Sequence, residues 1–144
     1  MKVKDVMTPS PAFATPQTSL QDVARMMEEN DCGAIPIMES GAAGRPVGVV
    51  TDRDITIRAV AHGKNPLEIR AGDVMSGPPL TVRADASLDE AVDVMGKSQV
   101  RRLIIIDEGG ACCGILSQAD VAQHAAKRET AKMVAEVSEP VGVR

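Results

Sequence analysis

Two four-residue segments, Thr51-Asp52-Arg53-Asp54 and Ser117-Gln118-Ala119-Asp120, carry the side chains of this chain best suited to chemistry. Each sets a hydroxyl three residues before an aspartate. At a helix start this spacing forms a capping box, in which hydroxyl and acid satisfy backbone N–H groups that the first turn leaves without partners. The same carboxylate can accept hydrogen bonds from a vicinal diol such as that of a ribose, and a helix start beside it favours phosphate. Capping and binding are compatible, and the residues alone leave both open. Both segments follow apolar stretches that read as strands, and open α/β layers place ligand crevices at strand ends.

Four arginines are candidates to meet a phosphate. Arg101 and Arg102 directly precede Leu103-Ile104-Ile105-Ile106, where the first copy of the pattern has Gly33-Ala34. Guanidinium geometry suits a phosphate clamp; the competing reading is a solvated ion pair with Asp107 or Glu108. Strand residues alternate, so only one of the two faces a given side. Arg53 and Arg58 follow Thr51 on the expected helix and can either reach a phosphate or stay solvated. His124 occupies the place of Arg58 in the second copy and reads as a surface histidine.

Catalysis finds no support. There is no Ser/His/Asp or Cys/His arrangement, no pair of acids spaced for general acid–base work, and no His/Cys cluster at metal-ligand spacing, so neither an enzyme nor a metal site is expected. Cys32, Cys112 and Cys113 form no CxxC motif. Adjacent Cys112 and Cys113 are expected on a strand, pointing to opposite faces, with one of them a buried thiol. Met26, Met27 and Met95 read as core residues.

These residues are positioned by a repeat. Asp5-Val6-Met7 recurs as Asp73-Val74-Met75, 68 positions on (73 − 5), and Ser19-Leu20 recurs as Ser87-Leu88. Gly48-Val49-Val50-Thr51 recurs as Gly114-Ile115-Leu116-Ser117 after 66 positions (114 − 48), the difference falling in a turn that spans 39–45 in one copy and 107–111 in the other. Each copy reads as a short helical turn, a short strand (Ala12 to Ala14 in the first), a helix, two strands and a second helix. The first helices are capped by Ser19 and Ser87, with apolar stripes Leu20, Val23, Ala24, Met27 and Leu88, Ala91, Val92, Met95. Apolar runs at Ala34 to Met38 and Leu103 to Ile106 suit strands covered on both faces. The second helices are expected over 52–61 and 118–127, with a polar connector at 62–66. Repeats are therefore drawn at 1–64 and 65–128, followed by a C-terminal helix or tail at 129–144. Each copy alone is short for a stable core, so the two are expected to pack together.

Composition narrows the function classes. Hydrophobic residues make up 44% and charged residues 25%, as in an ordinary globular domain. Phe13 is the only aromatic, so the core must be aliphatic and base-stacking platforms are missing. A formal net charge of −4 also disfavours a phosphate backbone as partner. No apolar run reaches membrane-spanning length and Met1-Lys2-Val3-Lys4-Asp5 does not open a signal peptide, so a cytoplasmic protein with no membrane partner is expected.

The duplicated order of Asp-Val-Met, Cys32-Gly33-Ala34-Ile35-Pro36 against Val100-Arg101-Arg102-Leu103-Ile104, and the two Gly-x-x-Ser/Thr-x-x-Asp segments resembles a tandem pair of cystathionine-β-synthase (CBS) domains. The likeness extends over residues 1 to 128 and is nearest to small CBS-pair proteins of the hypoxic-response type. It implies an α/β (α+β) fold of two β-α-β-β-α repeats about a pseudo-twofold axis, with clefts that bind AMP, ADP, ATP or S-adenosylmethionine, and a homodimer. Carried over by position, Thr51 with Asp54 and Ser117 with Asp120 would hold ribose, Arg101 and Arg102 would meet phosphate, and Ala34, Ile35, Thr81 and Val82 would border adenine. Two departures predict unequal sites: Gln118-Ala119 stands in place of Asp52-Arg53, and Gly33-Ala34 in place of the arginine pair. The resemblance thus implies a non-enzymatic regulatory module acting on an unidentified protein. The alternative is a structural or protein-interaction homodimer that keeps the fold without a ligand.

Overall fold

The computed structural model describes residues 1–39, 44–124 and 127–138, with the side chains of 127–132 outside that description. In chain order, a single 3-10 turn, Val3–Asp5, precedes β1 (Thr8–Pro9), α1 (Leu20–Asn30), β2 (Ala34–Met38), β3 (Pro46–Thr51) and α2 (Asp52–Arg58). A second 3-10 turn, Val60–His62, leads to α3 (Ala71–Val74), β4 (Thr81–Arg83), α4 (Leu88–Ser98), β5 (Arg102–Ile106), β6 (Cys112–Ser117), α5 (Gln118–His124) and α6 (Lys127–Ser138). The helix expected over 52–61 is thus two pieces, the second closed by Gly63 at φ 67°. The turn residues 40–43, the junction 125–126 and the tail 139–144 lie outside the described residues. Among the described residues no helix is long and apolar enough to cross a membrane.

The elements gather into two compact units that interleave in sequence. One contains Met1–Ser10, Leu80–Gly109 and the chain from Cys113 onward; the other contains Pro11–Pro79 and Gly110–Cys112. A division of the repeat near residue 64 follows the sequence, whereas in space each Asp-Val-Met leader joins the unit built from the other repeat. In both leaders the aspartate caps its own turn, Asp5 Oδ2 accepting from Lys2 N and Asp73 Oδ2 from Arg70 N, each at 2.9 Å. The leader then lies along a strand. Thr8 pairs antiparallel with Ile115 of β6, and Ser76 N and O exchange 2.9 Å hydrogen bonds with Val49 of β3.

In the first unit the sheet order is β1-β6-β5-β4, with β4 parallel to β5. In the second unit β2 and β3 form an antiparallel pair, flanked by single bridges from Ala14 to Ile37 and from Ser76 to Val49. The expected strand Ala12 to Ala14 is therefore reduced to one bridge, and two prolines explain it. In the first unit Ile104 N donates to Leu80 O and Ala84 N to Ile106 O. The corresponding donors in the second unit would be residues 36 and 16, both proline and without an N–H.

Ser19 and Ser87 cap α1 and α4 as expected, each Oγ accepting from the backbone N–H three residues on at 3.1 Å. Both helices end on a left-handed residue, Asp31 and Gln99. The α4 stripe Leu88, Ala91, Val92 and Met95 is wholly buried, because α6 brings Met133 and Val137 into the same core. The second unit has no helix equivalent to α6 among the described residues. Its Leu20 and Val23 are buried, Met26 and Met27 only partly, and Ala24 is exposed. The two cores are aliphatic, and Phe13 is 55% exposed.

All three cysteines are thiols. On β6, Cys112 and Cys113 are both half-buried, neither fully as expected, and Cys113 is the one packed against the core. Burial, reinforced by the Asp107 carboxylate, pushes the Cys113 thiol up against the smaller lowering effect of a backbone hydrogen bond.

Gly48 and Gly114 are where the leaders press closest. A Cβ on Gly48 would lie 2.7 Å from Met75 Sδ and 2.9 Å from Ser76 O, and one on Gly114 would meet Met7 and Thr8 in the same way. Gly48→Ala is expected to lower stability by about 1–3 kcal/mol, since the carbonyl it meets cannot rotate away; urea unfolding measures this, and an unchanged midpoint would contradict the close packing. Because the thiolate is the reactive form, exposed Cys32 should be alkylated by iodoacetamide well before Cys113, as read by peptide mass spectrometry. Faster labelling of Cys113 would refute the burial argument.

Candidate functional site

Both Ser/Thr-x-x-Asp segments sit where a strand passes directly into a helix, β3 into α2 and β6 into α5. Each forms the reciprocal box. Thr51 N donates to Asp54 Oδ2 at 2.9 Å and Asp54 N to Thr51 Oγ1 at 3.1 Å. Ser117 N donates to Asp120 Oδ2 at 3.0 Å and Asp120 N to Ser117 Oγ at 3.1 Å. The next backbone N–H is held from the preceding strand's start: Asp52 N donates to Gly33 O at 3.0 Å and Gln118 N to Arg101 O at 2.8 Å. The structure thus brings Arg101 to the Asp120 junction by a main-chain bond, and its partner in the second unit is glycine.

Around this shared frame the two carboxylates differ. Asp54 is buried at 7% exposure, the one buried polar side chain among the described residues. Its Oδ1 faces Arg58 Nη1 at 3.7 Å. That nitrogen also donates to Val74 O at 2.8 Å and to Ser76 Oγ at 3.0 Å. With Arg58 44% exposed, the long ion pair contributes at most about 1 kcal/mol. The charge-assisted hydrogen bonds are the stronger ties, about 1.5–3 kcal/mol each. Arg58 is thereby committed to the leader rather than held out to solvent.

Asp120 is half-buried, and its contacts fall on one oxygen. Oδ2 accepts from Ser117 N and, weakly at 3.5 Å, from Thr8 Oγ1, while Oδ1 has no partner among the described residues. His124, at the position of Arg58, is exposed and reaches neither Asp120 nor the leader. Thr8 and Ser76 were not legible as site residues, because each stands far in sequence from the side chain it meets, Asp120 for Thr8 and Arg58 for Ser76. Their only signal was the matching place of a hydroxyl after each Asp-Val-Met.

Arg101 and Arg102 are exposed, and neither forms an ion pair among the described residues. The competing pairing with Asp107 or Glu108 is not made. Glu108 lies 3.9 Å from Arg83, and Asp107 Oδ1 accepts from Gly109 N at 2.9 Å. Arg53 is exposed, and among the described residues only its backbone N–H is engaged, with Asp52 Oδ1. Thr81 is exposed on β4 beside β5, whereas Val82 at 8% belongs to the first unit's core. Ala34 and Ile35, at 5% and 0%, are buried in the second unit, so their side chains offer little surface to a ligand. No three His, Cys, Asp or Glu side chains among the described residues come together as a metal ligand set.

A family model for the CBS domain matches residues 3–60 and 71–127. Uncharacterized protein MK0525 of Methanopyrus kandleri is 38% identical over 120 residues, which cover 83% of this chain and 58% of that protein. The chain therefore spans little more than half the length of that relative. Hypoxic response protein 1 of Mycobacterium tuberculosis is 33% identical over 140 residues, 97% of this chain and 96% of that one. A crystal structure of Hypoxic Response Protein I with two coordinated zinc ions superimposes with a TM-score of 0.78 at 33% identity, covering 88% of this chain and 100% of the other. CBSX2, a CBS-pair protein of Arabidopsis thaliana solved in complex with AMP, superimposes with a TM-score of 0.71 at 27% identity, covering 86% and 95%. Two interleaved units, each closing a strand-to-helix junction with the same hydroxyl-and-aspartate box, agree with that match, and the chain belongs to the CBS domain family, carrying two CBS domains in tandem.

Proposed function

We propose that this protein is a non-enzymatic regulatory module that binds an adenosine-containing ligand, with AMP, ADP, ATP and S-adenosylmethionine as the candidates. The observation that carries the reading is the Asp120 junction. Its carboxylate has one oxygen spent on the cap and the other without a partner among the described residues, beside two exposed arginines that pair with nothing described. A ribose diol needs an accepting oxygen, and a phosphate needs a guanidinium. Ser117 and Asp120 hold the ribose, Arg101 and Arg102 meet the phosphate, and Thr81 lies on the neighbouring strand. Thr51 and Asp54 form the corresponding junction of the second unit. The complex of the relative CBSX2 with AMP supports the ligand class.

The module acts in the cytoplasm as a homodimer and passes its ligand state to a protein partner. To do so the ligand must favour one arrangement of the protein over another. Calorimetric titration of nucleotide-free protein with the four ligands should give heat with at least one, and Asp120→Asn should abolish it. No heat with any of the four would sink the reading.

The alternative is a structural or protein-interaction homodimer that keeps the boxes only as caps. Under that reading Asp54→Ala and Asp120→Ala each lower stability by about 0.5–2 kcal/mol and alter no ligand response. Under the leading one Asp120→Ala also removes the ligand-induced rise in melting temperature. Thermal unfolding with and without AMP separates them.

A further inference from the structure

We infer that Arg58 is a latch that withholds the Asp54 junction from the ligand, so that one chain takes a single nucleotide, at Asp120. The inference rests on the nucleotide reading above, which centres on Asp120, and says what keeps the Asp54 junction empty.

The two carboxylates do the same work in folding, each giving Oδ2 to the N–H of its hydroxyl residue. Only Oδ1 is left for a second task. In the second unit that oxygen faces Arg58 Nη1, and both hydrogens of the nitrogen are directed elsewhere, to Val74 O at 2.8 Å and Ser76 Oγ at 3.0 Å. A diol hydroxyl approaching Asp54 Oδ1 must displace a guanidinium anchored at two other points, in a site already only 7% exposed. Displacement leaves the Val74 carbonyl without its charged donor. Among the described residues no such group stands in the way at Asp120, because the equivalent residue is His124 and the leader hydroxyl, Thr8 Oγ1, lies on Oδ2 instead.

Charge strengthens the difference. Arg58 is committed to the Val74 carbonyl, the Ser76 hydroxyl and the Asp54 carboxylate, so of the two arginines on that helix exposed Arg53 alone is left open to a phosphate. Arg101 and Arg102 have no anionic partner among the described residues, and the second unit has Gly33-Ala34 in their place. Arg58 is thus a specificity-determining residue between the two junctions, acting by being anchored and not by touching ligand.

Because each residue is already tolerated at one of the two equivalent positions, a reciprocal exchange tests the idea. AMP is titrated calorimetrically into full-length, nucleotide-free protein. Wild type is expected to bind one AMP per chain, and Asp120→Asn to lose it. Arg58→His should add a second binding event, which disappears again when combined with Asp54→Asn. His124→Arg should weaken the original event by about tenfold or more, equivalent to one decade in Kd. Should Arg58→His melt early, Ser76→Ala withdraws one anchor of the same guanidinium and should also bring in the second event.

Two AMP molecules per wild-type chain, a single AMP lost with Asp54→Asn and kept with Asp120→Asn, or a stoichiometry unmoved by both Arg58→His and Ser76→Ala would each overturn the latch while leaving nucleotide binding intact. No heat from any protein with AMP, ADP, ATP or S-adenosylmethionine overturns the nucleotide reading itself.

Discussion

The absence of a side chain at Gly48 and Gly114 is the constraint on which the rest of each unit depends. A strand can accept a second segment at hydrogen-bonding distance with any residue, but here the incoming segment also drives a methionine and a carbonyl against the strand's own Cα. Only glycine leaves that room. Once the leader lies there, Ser76 or Thr8 is placed beside the end of the strand, and the hydroxyl arrives at the same turn as the capping aspartate. The recurrence of Asp-Val-Met and of the glycine are therefore two halves of one contact, made within each unit between residues from different repeats.

The departures from repeat symmetry have equally local causes. Pro16 and Pro36 each remove an N–H that the other unit uses to extend its parallel strand, so β4 is regular and its counterpart shrinks to a bridge at Ala14. The missing cover on α1 follows from chain order, since among the described residues only the second repeat is followed by a helix that packs into its unit's core. Ala24, which the period places on the apolar stripe with Leu20 and Val23, stays exposed for that reason, while Val92 at the matching place is buried. Periodicity identifies which face is apolar; it does not say how much of that face finds a partner.

Most of the secondary structure was legible from the residues because local rules decide it. Ser19 and Ser87 cap, the apolar runs at Ala34 and Leu103 form strands, and the hydroxyl-and-aspartate boxes close at both strand ends. What was not legible depends on contacts distant in sequence. Nothing near Arg58 announces that its guanidinium turns to Val74 and Ser76, and nothing near Thr8 announces Asp120. The repeat itself encourages a division in the middle of the chain, whereas the leaders cross that boundary. Ile35 and Val82 illustrate a further limit, for a match by position names the strand residue but not which way its side chain is turned.

A motif that serves folding constrains only the atoms that folding uses. The capping box needs one carboxylate oxygen and one hydroxyl, and both units spend the same ones on it. The second oxygen is unconstrained by the cap, so its surroundings can differ between copies without loss of the helix start. That is where the differences gather: arginine against histidine one turn further along the helix, serine against threonine on the leader, glycine against arginine at the start of the neighbouring strand. The identity of the box in both units thus reflects the common requirement of starting a helix from a strand end. Whether each box does anything more is decided by the residues around the oxygen the cap leaves over, which makes a duplicated motif compatible with unequal sites on one chain.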